Sequence, residues 1–130
     1  MPPAPAMCKV LKDRGLRPHL LVHPELLPDF ADIDQSNPNC VILGDAQEHF
    51  TYENLNAAFQ MLISMQKPVL FSLGGGKYYQ EKGKLVLDVG PFAKALEFAC
   101  STEGEIVGKP SPVFFNTAVK DLGITPQNAL

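Results

Sequence analysis

Residues 39–76 read NCVILGDAQEHFTYENLNAAFQMLISMQKPVLFSLGGG, and they place a helical pattern between two short apolar runs. The runs Cys40–Gly44 and Val69–Leu73 have strand length and are rich in Val, Ile, Leu and Phe, which is typical of strands buried on both faces. The pattern between them has the i, i+3, i+4, i+7 spacing of one buried helix face. Its apolar stripe comprises Leu55, Ala58, Phe59 and Leu62. The stretch therefore predicts a strand–helix–strand unit, with Thr51 as the helix cap.

Further strand-like runs lie outside this unit, at His19–His23, Leu85–Asp88 and Glu105–Val107. Strands that alternate with helices indicate an α/β fold in which helices flank a mostly parallel sheet. For Glu81–Asp88 the alternative is an antiparallel hairpin with Lys77–Tyr79.

Three further helical patterns predict the other helices that flank the sheet. The first covers Ala6–Arg14 and ends at Gly15. The second has Pro91 at its first position, and the third is capped by Ser111 and stops at Gly123. Their apolar stripes are Phe92, Ala95, Leu96 and Ala99 in the second helix, and Phe115, Ala118, Val119 and Leu122 in the third.

The composition excludes several classes of protein. The 130 residues carry a net charge of −3 and no arginine- or lysine-rich block, so the surface that neutralises nucleic-acid phosphates is missing. There is no run of about 18 apolar residues, and the N-terminus MPPAPAM lacks the regions of a signal peptide. Cys8, Cys40 and Cys100 have no zinc-like spacing. We therefore expect a cytoplasmic protein, with the nucleus as an alternative, and no membrane or nucleic-acid partner.

The most specific motif is Val107–Pro112, which reads VGKPSP. Lys109 follows the carboxyl end of a predicted strand and precedes a capped helix, and ligands of open α/β sheets bind at such ends. A lysine there can neutralise a phosphate and a neighbouring carboxylate nucleophile. The alternative is a solvated lysine in a tight turn, and the residues alone favour neither.

The segment Gly108–Pro112, followed by Phe114 and Phe115, resembles the third motif of haloacid dehalogenase-type phosphatases. Other stretches resemble cap domains of the NagD-like subfamily of that family. They are Asn37–Ile42, Phe50–Phe59, Lys67–Leu70, Asp88–Phe92 and Ala95–Cys100. The resemblance extends over essentially the whole chain.

The resemblance implies a magnesium-dependent phosphatase that forms an aspartyl-phosphate. The implied substrates are phosphorylated small molecules or phosphoamino acids, namely phosphohistidine, phospholysine or inorganic pyrophosphate, and the implied assembly is a homodimer. Lys109 would stabilise the charge of the phosphate and the nucleophile. Residues 1–104 would form the cap domain with its entry helix, and residues 105–130 a remnant of the Rossmann-like core that carries the Gly-Lys-Pro motif.

The sequence departs from the family pattern at the catalytic aspartates. It contains no Asp-x-Asp-Gly segment and no Gly-Asp-Asp. Asp32-Ile33-Asp34 has the spacing of the nucleophile motif, but it follows no convincing strand. Of the four catalytic motifs only Lys109 is present, so we expect the chain to be inactive alone, with no metal site of its own.

Two loops of the predicted cap follow strands and could face an active site. Because of the family resemblance, Asp45 in the first loop is a candidate substrate-binding residue, with a polar turn as the alternative. His23 and His49 are candidate acid–base groups, with a structural role as the alternative. The triple glycine before Lys77 lacks the spacing of a phosphate-binding loop, which favours a flexible turn.

Three functions are compatible with these observations. The first is the cap-containing part of a phosphatase, and the second is a non-catalytic interaction or dimerisation module. The third is an unrelated flavodoxin-like binding domain, which would retain a nucleotide or flavin.

Overall fold

The computed structural model describes residues 3–107, and its centre is a four-stranded parallel sheet. The strands of this sheet are β1 (Pro18–Leu21), β2 (Cys40–Leu43), β3 (Leu70–Ser72) and β6 (Glu105–Ile106), in the order β1-β2-β3-β6. The other strands, β4 (Tyr78–Glu81) and β5 (Lys84–Leu87), form a separate antiparallel hairpin. The helices are α1 (Pro3–Arg14), α2 (Tyr52–Ile63) and α3 (Val89–Cys100), with 3₁₀ helices at Pro24–Phe30 and Gln47–His49.

Helices cover both faces of the sheet, because its strands are apolar on both sides. On one face Met7 and Leu11 of α1 and Phe30 of the first 3₁₀ helix pack with Ile42 and Phe71. On the other face α2 and α3 pack against side chains that alternate with these along the strands. This second core includes Val41, Leu43, Ala58, Leu62, Leu70 and Leu96. The predicted α/β class with a parallel sheet flanked by helices is confirmed.

The strand–helix–strand unit also forms as predicted. The Thr51 side chain caps α2 by accepting a hydrogen bond of 3.1 Å from the Asn54 backbone N–H. The predicted stripe faces the core, with Ala58 and Leu62 buried and Leu55 and Phe59 half-buried.

Residues 81–88 adopt the predicted alternative, the hairpin, and do not join the parallel sheet. Leu85 and Leu87 are 68% and 57% exposed, so the prediction of a strand buried on both faces was wrong here. The physical reason is that the turn at Lys82-Gly83, where both residues have positive φ, reverses the chain directly onto β4.

Helix α3 differs from its prediction in start and in phase. Asp88 is the N-cap, its carboxylate accepting a hydrogen bond of 2.7 Å from the Val89 N–H, so Pro91 lies at the third helical position. The buried stripe is Val89, Ala93, Leu96 and Cys100, whereas Ala95 and Ala99 are exposed. Small apolar residues occur on several faces of this helix, so composition alone could not identify the buried face.

Some predictions fall outside the described residues. These are the helix from Ser111 to Gly123 with its stripe, and Lys109 itself. The boundary between residues 104 and 105 stays a prediction, and it lies just before β6, which hydrogen-bonds to β3. Among residues 3–107, no helix is long and apolar enough to cross a membrane.

We expect Phe71→Ala to lower the free energy of unfolding by about 3–5 kcal/mol, because the ring is fully buried in the sheet. Urea denaturation followed by circular dichroism measures the change. Phe98→Ala is the matched control, since Phe98 is 89% exposed, and it should cost no more than about 0.5 kcal/mol. Equal losses in the two variants would contradict the described core.

Candidate functional site

The four parallel strands end at the same edge of the sheet, and the loops that follow them form the candidate site. His23 follows β1, Asp45 follows β2 and the glycines 74–76 follow β3. Strand β6 leads to Val107, and Lys109 lies two residues further on, outside the described residues. The topology thus brings Asp45 and the two candidate histidines to one edge.

His23 and His49 meet at this edge. Their rings are 5.8 Å apart between centroids and perpendicular to each other. His23 Nδ1 accepts a hydrogen bond of 3.1 Å from the Glu25 N–H, capping the first 3₁₀ helix. The neutral His23 ring therefore carries its proton on Nε2. This bond gives His23 a structural role, and a catalytic role for either histidine stays a prediction.

Asp45 is half-buried at the start of the loop after β2. Burial raises the pKa of its carboxyl, and the neighbouring Asp88 carboxylate raises it further. Hydrogen bonding by the Tyr79 side chain and the Gln47 backbone lowers this pKa in part. The Oδ1 atom is nevertheless buried with no hydrogen-bond partner among the described residues. An acceptor in this state favours a ligand or water that can donate a hydrogen bond to it.

The triple-glycine loop docks directly on the first turn of α3. The Gly76 carbonyl accepts a hydrogen bond of 2.9 Å from the Gly90 N–H, and the Lys77 carbonyl accepts one of 3.1 Å from the Asp88 N–H. A Cβ atom on Gly90 would overlap the Gly76 carbonyl oxygen and lie 3.0 Å from that of Gly75. The hairpin separates this loop from α3 along the chain, whereas a phosphate-binding loop runs straight into its helix.

A cleft of about 530 Å³ lies beside this loop, between α3 and β6. Its charged residues include Lys94, Glu97 and Glu103. Lys94 forms a salt bridge of 3.3 Å with Glu97, whose Oε2 also accepts a hydrogen bond of 2.6 Å from the Gly104 N–H. Because both of these side chains are already paired, this cleft is a weaker candidate than the loop around Asp45.

Asp32 and Asp34 are exposed after a 3₁₀ helix, and no strand leads to them. Asp34 Oδ1 accepts hydrogen bonds of 2.9 Å from the Ser36 N–H and 2.7 Å from its hydroxyl. These bonds lower the pKa of Asp34. The pair therefore has the geometry of a surface turn, which favours the expectation that it is not a nucleophile motif.

Residues 3–107 contain no group of three His, Cys, Asp or Glu side chains that could hold a metal ion. The magnesium ion that the family resemblance implies is therefore not assigned to any of them.

The sequence did not identify the neighbours of Asp45, which are Tyr79, Gln47 and Asp88. Tyr79 comes to Asp45 through the fold of the hairpin, and no sequence signal specified that contact. Asp88 directly before an apolar helical pattern is a recognisable cap, and that signal could have placed it at this end of α3.

Comparison with known proteins gives relatives by sequence, although the chain matches no family model. It is 57% identical over 128 residues to the phospholysine phosphohistidine inorganic pyrophosphate phosphatase of Xenopus laevis, covering 98% of this chain and 47% of the relative. It is 41% identical over 121 residues to the human haloacid dehalogenase-like hydrolase domain-containing protein 2, covering 93% of this chain and 46% of the relative.

A solved structure gives a relative by fold. The crystal structure of 4-nitrophenylphosphatase from Thermotoga maritima matches with a TM-score of 0.68 and 26% identity, covering 92% of this chain and 47% of that chain. These similarities confirm the resemblance to haloacid dehalogenase-type phosphatases. The chain spans about half the length of the curated relatives it matches, so the activity of those whole proteins is a proposal for this chain.

We expect Gly90→Ala to lower the free energy of unfolding by about 1–3 kcal/mol, because its Cβ would overlap the Gly76 carbonyl. Helix propensity alone predicts the opposite sign, a gain of about 1 kcal/mol. Ala95→Gly, at an exposed position of the same helix, calibrates that propensity effect in urea denaturation. A more stable Gly90→Ala variant would show that the loop does not contact α3.

Proposed function

We propose that this chain, which resembles haloacid dehalogenase-type phosphatases in sequence and fold, supplies the cap domain and the third catalytic motif of such an enzyme. The whole enzyme would hydrolyse phosphohistidine, phospholysine or inorganic pyrophosphate with magnesium. The observation that carries the proposal is the 57% identity, across 98% of the chain, to the phospholysine phosphohistidine inorganic pyrophosphate phosphatase of Xenopus laevis. The parallel sheet that presents its loops at one edge supports it.

In this proposal the two parts of the chain have different tasks. Residues 1–104 form the cap, which shapes the substrate site and excludes water from it. Residues 105–130 belong to the catalytic core, where the Lys109 ammonium neutralises charge on the phosphoryl group and on the aspartate nucleophile. Magnesium, when bound in the whole enzyme, polarises the phosphoryl oxygens.

The isolated chain is inactive in this proposal. An aspartyl-phosphate requires a carboxylate nucleophile, and the sequence has no Asp-x-Asp-Gly segment to supply it. The most similar arrangement, Asp32-Ile33-Asp34, is a surface turn in which Asp34 is occupied by Ser36.

The state of the cysteines supports a cytoplasmic location. Cys8, Cys40 and Cys100 are all free thiols. Burial raises the pKa of Cys40 to about 12 and also raises that of Cys100, so both are packing residues and not reactive thiols. Free thiols of this kind are typical of reducing compartments.

We expect no phosphate release from pyrophosphate or phosphohistidine by the isolated chain with magnesium. A chimera in which this chain replaces the matching 128 residues of the Xenopus laevis relative should release phosphate from both. In the chimera, Lys109→Ala should lower kcat by about 100-fold or more, because a fixed positive charge is lost at the reacting group.

Lys67→Ala is the control in the chimera, because Lys67 is an exposed lysine in the loop before β3 and should leave kcat unchanged. An inactive chimera that is folded would overturn the proposed function. Magnesium-dependent turnover by the isolated chain would overturn its assignment as an inactive part.

A non-catalytic dimerisation module is the second candidate, and the hairpin favours it. Tyr78, Leu85 and Leu87 are 59%, 68% and 57% exposed. The register pairs Tyr78 with Leu87 and Gln80 with Leu85, so the three apolar side chains share one face of the hairpin. Apolar side chains that are exposed together on one face favour contact with a second copy.

We expect the chain to sediment as a homodimer and the double variant Leu85→Lys/Leu87→Lys to sediment as a monomer, because charges would be buried at the interface. Phe98→Lys, on α3, is the control and should remain dimeric. A monomeric unmodified chain at micromolar concentration, or a dimer that survives the double substitution, would contradict this assembly.

A further inference from the structure

We propose that Arg14 is a positioning residue of the whole enzyme: by binding Glu105 it fixes strand β6, and through β6 it fixes the placement of Lys109. The inference rests on the proposed function for the role of Lys109. Its first step, in which Arg14 fixes β6, concerns the described residues alone and can be tested on the isolated chain.

Strand β6 is the shortest strand of the parallel sheet and lies at its edge. It comprises only Glu105 and Ile106, and β3 is its one neighbour among the strands of residues 3–107. The Val107 N–H extends this pairing by donating a hydrogen bond of 2.8 Å to the Ser72 carbonyl. A short edge strand with few backbone hydrogen bonds opens more readily than the central strands of a sheet. The position of β6 therefore depends on side-chain contacts as well.

Arg14, in the last turn of α1, binds the first residue of this strand. Its two terminal nitrogens donate hydrogen bonds of 3.3 and 3.2 Å to the two carboxylate oxygens of Glu105. Both side chains are 51% exposed, and an exposed ion pair with a single contact contributes little. Here the planar guanidinium meets the carboxylate at two points, so the pair also fixes the orientation of Glu105.

The Arg14 guanidinium contacts β3 at the same time. Its central carbon lies 5.6 Å from the centroid of the Phe71 ring, within the range of a cation–π interaction. Phe71 is fully buried, and it is the register partner of Glu105. One arginine thus contacts both members of a cross-strand pair, so the start of β6 is fixed against a rigid part of the sheet.

A second contact holds the segment before β6 from the other face of the sheet. Glu97 of α3 accepts a hydrogen bond of 2.6 Å from the Gly104 N–H through its Oε2 atom. This bond does not involve Arg14, so we expect variants at Arg14 to keep β6 folded while its placement becomes less fixed.

The path from β6 to the proposed catalytic lysine is short. Lys109 lies two residues beyond Val107 in the sequence. A displacement of about 1 Å of a catalytic group can cost about 100-fold in rate. Since Lys109 neutralises charge on the phosphoryl group in the proposed function, a less fixed β6 should lower kcat.

The first test measures amide hydrogen exchange by NMR in the isolated chain. Arg14→Ala should speed the exchange of the Val107 amide about tenfold, because β6 opens more often. The Leu73 amide, which donates to β2, should be unaffected. Lys9→Ala is the matched control, because Lys9 also forms an ion pair on α1, of 3.1 Å with Asp13, and this pair does not reach β6. It should change the exchange at Val107 by less than about twofold.

Glu105→Gln keeps the shape of the side chain and removes its charge, so it should speed exchange at Val107 as Arg14→Ala does. The double variant should exchange no faster than either single variant, because the two residues act as one pair. Unchanged exchange at Val107 in Arg14→Ala would overturn the inference. Equal acceleration at Val107 and Leu73 would overturn it as well, because the whole sheet would then be less stable.

The second test uses the chimera with the Xenopus laevis relative. Arg14→Ala should lower kcat for pyrophosphate about tenfold, and Lys9→Ala should leave it unchanged. In a chimera that already carries Lys109→Ala, Arg14→Ala should cause no further loss, because Arg14 acts through Lys109. A purely structural role would instead lower kcat by the same factor with and without Lys109.

An unchanged kcat in Arg14→Ala would overturn the positioning role, and so would the same fractional loss in the Lys109→Ala background. A folded chimera without pyrophosphate turnover would instead count against the proposed function. The exchange measurement on the isolated chain would still decide whether Arg14 fixes β6.

Discussion

The burial of β2 and β3 on both faces is the constraint on which the other elements depend. Every residue of these two strands is buried, so α1 must cover one face while α2 and α3 cover the other. Parallel strands buried in this way have polar connections only at their ends. Asp45, His23 and the glycine loop consequently meet at one edge, and the candidate site follows from the packing of the sheet.

The local sequence predicts much of this fold, because its strongest signals are local. The run at Cys40–Leu43, the Thr51 cap and the stripe of α2 each depend on neighbouring residues, and each forms as expected. The phase of α3 depends on which of several small apolar faces meets the sheet. The exposure of Leu85 and Leu87 depends on whether the chain reverses at Lys82-Gly83. The phase of α3 and the exposure of the hairpin leucines depend on tertiary contacts, so they cannot be predicted from the spacing of apolar residues.

In the candidate site, too, some features could be predicted from the local sequence and others depend on tertiary contacts. The position of Asp45 at the end of a strand could be predicted, because strand ends are visible in the sequence. Its contact with Tyr79, and its buried oxygen that has no hydrogen-bond partner within residues 3–107, could not be predicted, since they arise where the hairpin folds back. Lys109 was recognised from its motif, and its placement remains a prediction.

The contact between the glycine loop and α3 joins backbone to backbone. Gly76 and Gly90 meet through a hydrogen bond with no side chain from either residue, so the anchor of the hairpin does not depend on what the hairpin carries. Side-chain substitutions at residues 78–87 therefore do not remove this hydrogen bond directly. The base of the hairpin is thus held by backbone groups, whereas its outward-facing side chains take no part in that contact.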